Sequence, residues 1–289
     1  MKTRLPKSAL RLLGLLAVFL VASQVFPDRT LATNKDEAPM SSKTDVEAPH
    51  YSAQVYFDLV RKYTTDDGEK VDYEVWKDSA EDIELLDQQV AMIASVSPDS
   101  HPALFPTRAI QRSYWINSYN TLILHAVLEY WPLESVRDIK ISFSSRVVPG
   151  KGFFYDRTIV VGGKETNLYK FEKEMLSKQK DPRLHFALNC GSESCPVLRA
   201  WEWSDEQLDE AARDFVNNPL NVAVENEKLY LSRIFKWYKK DFPKDVPSYL
   251  QKYADADLSE QLQTAKDENY PRTYQSYDWS LNTGETADD

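Results

Sequence analysis

Residues 109–130 read AIQRSYWINSYNTLILHAVLEY, and they stop just before Trp131-Pro132. A run of this length, without internal Gly or Pro and closed by a residue that Pro pushes out of the helical region, predicts one long helix. Working upstream, Val55, Leu59 and Val60 predict a helix that ends near Thr65-Asp66-Asp67-Gly68, and Leu85 to Ile93 predicts another, closed by Ser97-Pro98-Asp99. Downstream, Ile159-Val160-Val161 reads as a strand turning at Gly162-Gly163. Asn167 then caps a helix over Leu168–Leu176, with Leu168, Phe171, Met175 and Leu176 on one face. Leu184–Cys190 (LHFALNC) follows Pro182, is short for a helix, and reads as a buried strand. Ser204-Asp205-Glu206-Gln207 is a capping box opening a helix whose inner stripe is Leu208, Ala211, Ala212, Phe215 and Val216. Val222–Val224 and Leu229–Leu231 predict a hairpin, and short helices follow around Phe235–Asp241 and Ser248–Tyr253. Helices and strands interleave irregularly and no repeat is visible. The fold class is therefore α+β, a single domain with a small, mostly antiparallel sheet.

The chain has 289 residues, 35 bases against 45 acids (net −10), two cysteines and eight glycines. With 42% apolar and 12% aromatic residues it is too rich to be disordered. The acidic balance argues against nucleic acid, whose phosphates need clustered bases. Neither common phosphate-loop glycine pattern occurs, and two cysteines with four histidines are too few for a zinc framework, so no metal or cofactor is implied. Lys2, Arg4, Lys7 and Arg11 precede the apolar run Leu12–Ala22, the pattern of an export signal and too short to span a bilayer. Cleavage fits after Ser23 or after Ala32; an uncleaved anchor is the alternative. Cleavage leaves no membrane span, and loss of residues 1–23 removes four bases and no acid, moving the net charge to −14. Residues 33–50 read as a polar linker, 51–282 as the folded domain and 283–289 as an acidic tail. The absence of an N-x-[ST] sequon favours a bacterial envelope, so the expected location is periplasmic or secreted.

Several polar residues fall where the periodicity expects apolar ones. Asn117 and Asn120 share a face with Leu124 and Leu128 on the long helix, and each buried amide must find a partner. They either tie down a loop or point an amide at a substrate carbonyl or an imidazole. Glu172 lies four residues after Leu168 and three before Met175, facing inward. It either pairs with a base such as Arg183 or serves as an acid, a base or an orienter of histidine.

The run His185-Phe-Ala-Leu-Asn189-Cys190-Gly-Ser-Glu-Ser-Cys195-Pro196 carries the most chemistry. In strand alternation His185, Ala187 and Asn189 share one face and Cys190 the other, while Cys195 can return from the loop to the His185 side. A thiol beside an imidazole is the usual cysteine nucleophile. A Cys190–Cys195 disulfide competes with it, because an exported chain meets an oxidising compartment. A redox-active pair lacks the C-x-x-C spacing, and metal binding by His185 and both thiols lacks a fourth ligand. The remaining histidines carry little signal. The C-terminal aromatics Trp237, Tyr238, Tyr270, Tyr274, Tyr277 and Trp279 have the composition of a sugar platform but also of ordinary core.

Three segments together resemble the domain of unknown function 547 family: Tyr114-Trp-Ile-Asn117-Ser-Tyr-Asn120, the run His185 to Leu198, and Tyr277-Asp-Trp-Ser-Leu-Asn282. Val71-Asp72-Tyr73, Ser135–Ile139, Asp181-Pro182-Arg183 and Ile234–Phe242 support the likeness, which extends from Tyr51 to Asn282. The resemblance implies that Asn117, Asn120, Glu172, His185, Cys190 and Cys195 are signature positions, and it implies no reaction. The expected site thus has Cys195, His185, Glu172 and Asn117 as catalytic candidates, with Asn120, Asn189 and Cys190 contacting substrate. The reaction class is thiol-dependent acyl transfer or amide hydrolysis. The alternative is a non-catalytic protein whose disulfide shapes a recognition loop for a small molecule, peptide or envelope partner.

Overall fold

The computed structural model describes residues 50–285. The export signal over 1–23 (or to 32), all of the linker but His50, and the last four residues of the tail lie outside them. Helices α1 (Gln54–Tyr63), α2 (Tyr73–Asp78) and α3 (Ala80–Ser95) open the domain. The side chains of Asp72 and Ser79 cap the latter two by accepting from Val75 N and Asp82 N. Helix α4 (Arg108–Tyr130), capped by Thr107, is the long helix predicted from the sequence. Every residue from Arg112 to Leu124 is buried, so α4 is wrapped on all sides by the chain, α3 among its neighbours. The two asparagines therefore lie in a helix with no solvent face over this stretch, not on a single inward stripe.

Strands β1 (Ile159–Val161) and β2 (Lys164–Thr166) form the expected turn at Gly162-Gly163. Gly162 has φ +56°, and a Cβ there would stand 2.1 Å from Ser97 Oγ, so only glycine closes this hairpin against the loop after α3. Asn167 caps α5 (Leu168–Gln179), which packs on α4. The capping box at Ser204 and Gln207 opens α6 (Asp205–Asn217). β3 (Val222–Glu225) and β4 (Lys228–Leu231) form the predicted hairpin, with Val222 opposite Leu231. After α7 (Ile234–Trp237), α8 (Val246–Leu250) and α9 (Ala256–Asp267), strand β5 (Arg272–Tyr274) adds to β4 in parallel. Two small sheets, one mixed, lie among many helices, an α+β domain.

Leu184–Cys190 is not a strand. Pro182–Phe186 is a 3-10 helix capped by Asp181, whose Oδ1 accepts from Arg183 N at 3.0 Å, and irregular backbone follows. Leu184 to Asn189 are all buried, so an unbroken apolar run suited either conformation, and Pro at the first helical position decided between them.

The chain end straps this region down. Val71 N donates to Asn282 O (2.9 Å), Leu281 N to Glu134 O (2.8 Å), Glu193 N to Ser280 O (2.9 Å) and Asn282 N to Gly191 O (3.2 Å). Pairing continues past Asn282, since Thr283 bridges to Val71 and Gly284 N donates to Val71 O.

Candidate functional site

Residues 187–198 form a loop with little regular structure, so side chains must satisfy its buried backbone. Asn120, fully buried, donates from Nδ2 to Ala187 O and accepts at Oδ1 from Asn189 N, both at 3.0 Å. Asn189 donates to Pro196 O (2.7 Å) and accepts from Gly191 N (2.7 Å), stapling the loop across its neck. Asn117 donates to Trp201 O (3.0 Å) and Ser113 Oγ (3.3 Å) and accepts from Trp203 Nε1 (2.8 Å). These amides hold the segment on α4, the first of the two roles weighed for Asn117 and Asn120. None of the three lines the cleft described below.

Cys190 and Cys195 are joined in a disulfide with Cα atoms 6.1 Å apart. Cys190 N donates to Cys195 Sγ (2.9 Å), and Ser192 Oγ lies 3.2 Å from both sulfurs. The Tyr277 hydroxyl reaches Cys195 Sγ at 3.1 Å and Cys190 Sγ at 3.4 Å, and burial pushes its pKa up to about 12. A thiol nucleophile therefore requires this bond to be reduced first.

Glu172 projects inward from α5, as its helical position predicts. It accepts from Tyr238 OH at 2.5 Å and Tyr119 OH at 3.2 Å. Burial raises its pKa above the usual carboxylate range, against the lowering effect of the two hydroxyls. The partner weighed from the sequence, Arg183, is engaged elsewhere, with Asp181, Asp205 and Asp209. His185 Nε2 lies 3.0 Å from Asp241 Oδ2, and its ring packs on Tyr238 with centroids 4.1 Å apart. Burial pushes its pKa down to about 4, so near neutrality it is a neutral imidazole donating from Nε2 to the carboxylate. Tyr238 thus joins the two groups: its hydroxyl holds Glu172 while its ring covers His185.

Glu172, His185, Cys190 and Cys195 line one cleft of about 430 Å³. Aromatic rings make up much of its wall, among them Tyr119, Tyr155, Trp237, Tyr238, Tyr277 and Trp279. Arg137 also lines it, its guanidinium 5.2 Å from the Trp279 ring and without a carboxylate partner among the described residues. Sequence reasoning did not single out Tyr119, Arg137, Tyr238, Asp241 or Tyr277 as site residues. All five nevertheless stand inside the segments that carried the family resemblance, and Tyr238 and Tyr277 are also among the C-terminal aromatics whose composition suits a sugar platform. His125 sits elsewhere, between Asp87 and Arg157, where burial lowers its pKa. Among the described residues no group of three or more His, Cys, Asp or Glu could hold a metal ion, and no helix is long and apolar enough to cross a membrane.

Residues 105–216 match the family model described as "Protein of unknown function, DUF547". The interval holds α4, α5, the cysteine loop and α6 up to Val216, but not Tyr238, Asp241 or Tyr277. No curated protein and no solved structure matches the chain.

Proposed function

We propose, for a chain that belongs to the DUF547 family through residues 105–216, a ligand-binding role in which the aromatic cleft takes a small amphipathic anion. The observation that carries this reading is the state of the cysteine loop. Its sulfurs are bonded to each other, and its backbone is clamped by Asn120, Asn189 and the C-terminal strap, so it serves as a rigid wall. Aromatic sides favour an apolar or ring-bearing body, and Arg137, stacked on Trp279 and free of any carboxylate among the described residues, favours an acidic head. Export to an oxidising compartment is part of the proposal; the composition of residues 1–23 and the closed disulfide support it. Anilinonaphthalene sulfonate, an aromatic anion, is the test ligand. Saturable one-to-one binding, weakened about tenfold by Arg137→Ala as loss of one charge-assisted contact, is expected. Absence of saturable binding, or indifference to both Arg137→Ala and Trp279→Ala, contradicts the proposal.

A second reading is thiol-dependent acyl transfer or amide hydrolysis. It draws on the opposed environments of Glu172 and His185, which line one cleft, His185 being bonded from behind to Asp241. It requires reduction of the disulfide. A reductant-dependent acyl-enzyme burst with an activated ester, abolished by Cys195→Ser, would establish it in place of simple binding.

A further inference from the structure

The loop between Lys140 and Lys151 inverts the usual polarity of a surface segment. Its serines turn inward: Ser145 is fully buried, accepts from Ser142 N (2.9 Å) and donates to Ser142 O (2.7 Å), while Ser142 Oγ donates to Asp156 Oδ2 (2.5 Å). Its apolar side chains turn outward: Phe143 is 83% exposed and Val147 72%, with Ile141 and Val148 close to half exposed. The base of the loop is pinned at Gly152, where a Cβ would stand 2.1 Å from Ile139 O. The loop is held by its own hydrogen bonds in the conformation that presents these side chains to solvent. Exposed apolar groups clustered in this way mark a contact surface.

Charge identifies the partner. In a chain of net −10, no acid occurs between Asp138 and Asp156, and that interval carries Lys140, Arg146 and Lys151. Lys151 pairs with Asp156, which leaves Lys140 and Arg146 without a carboxylate among the described residues. An apolar tip flanked by bases matches a lipid interface of negative charge, because the side chains enter the acyl boundary while the bases meet the headgroups. We propose that this loop docks the protein on an anionic bilayer surface. The acidic remainder of the described residues is repelled by the same surface, so within them the loop sets the orientation. The following residues Pro149, Gly150, Phe154 and Tyr155 line the cleft, whose mouth then faces the lipid. The docking stands on observations separate from those behind the ligand proposal, and its test does not depend on cleft occupancy.

A local probe separates this loop from any contribution of the N-terminal segment. Val148→Cys in the full chain is labelled with an environment-sensitive dye, the native cysteines being closed. Vesicles of phosphatidylglycerol and phosphatidylcholine are expected to blue-shift its emission, and vesicles of phosphatidylcholine alone are expected to do so at least about tenfold more weakly. Phe143→Asp should cut the anionic-vesicle partitioning about tenfold, and Lys140→Glu with Arg146→Glu should abolish it while the circular dichroism spectrum stays unchanged. An unshifted probe on anionic vesicles overturns the proposal, as does an equal response to both vesicle types. A concentration-dependent shift without lipid overturns it as well, in favour of a second copy of the chain.

Discussion

Replacing Asn120 by Leu keeps the side-chain volume and removes both polar atoms that hold the cysteine loop to α4. Ala187 C=O and Asn189 N–H, each bonded to Asn120 at 3.0 Å, then lose their partners in a position of zero exposure. An orphaned buried polar group costs about 1–3 kcal/mol, so the pair should cost about 4 kcal/mol. Urea denaturation of the folded chain measures it; with a slope of about 3 kcal/mol/M the midpoint falls by about 1.3 M. Asn167→Ala, which removes an exposed helix cap, is the internal standard at about 1 kcal/mol. Because the clamp also sets loop shape, the Cys190–Cys195 bond should be reduced faster in Asn120→Leu than in wild type. A midpoint within the range of the cap variant, with unchanged reduction kinetics, would falsify the view that this amide is the loop's anchor.

Acid should weaken the fold through His185. Its folded pKa, about 4, lies below the ordinary 6.5, so between these values the unfolded chain takes up the proton first. Stability present above pH 6.5 should therefore decline by about 3 kcal/mol as pH falls to about 4, then level off. The difference between wild type and His185→Gln across this range isolates that contribution; a flat difference would show that burial does not govern the imidazole. Tyr238→Phe removes a 2.5 Å hydrogen bond to buried Glu172 and should cost about 1.5–3 kcal/mol by thermal or chemical unfolding; a change below about 0.5 kcal/mol would mean the carboxyl does not need it. Gly152→Ala drives a methyl onto the Ile139 carbonyl, so protease sensitivity should rise at residues 140–151 before it rises elsewhere. An unchanged digestion pattern would refute that.

Helix ends were legible because their determinants are local. Ser204 with Gln207, Asn167 and the Trp131-Pro132 stop each act within a turn or less, and the structure places α6, α5 and α4 accordingly. Periodicity failed where burial is two-sided. Leu184–Asn189 carries no alternation for a strand to use, and α4 has no exposed face over Arg112–Leu124 against which a polar stripe could be defined. The inward position of Glu172 was readable, but its partners were not. Tyr119 lies 53 residues before it and Tyr238 66 after it, whereas Arg183, the nearer candidate, has three acids of its own. Tyr277 is more distant still, 82 residues beyond Cys195, and reaches the disulfide through a C-terminal strap held by backbone bonds, which side-chain pattern does not encode.

The cysteine loop acts as a closed, braced wall and not as a source of thiolate. Alkylating the chain at lysis, after production with its own N-terminal segment and without reductant, tests this most directly. Intact mass spectrometry should show no adduct on the native protein and two after denaturation and reduction. Two adducts on the native, never-reduced protein would show an open thiol pair and return Cys195 to the role of candidate nucleophile beside His185.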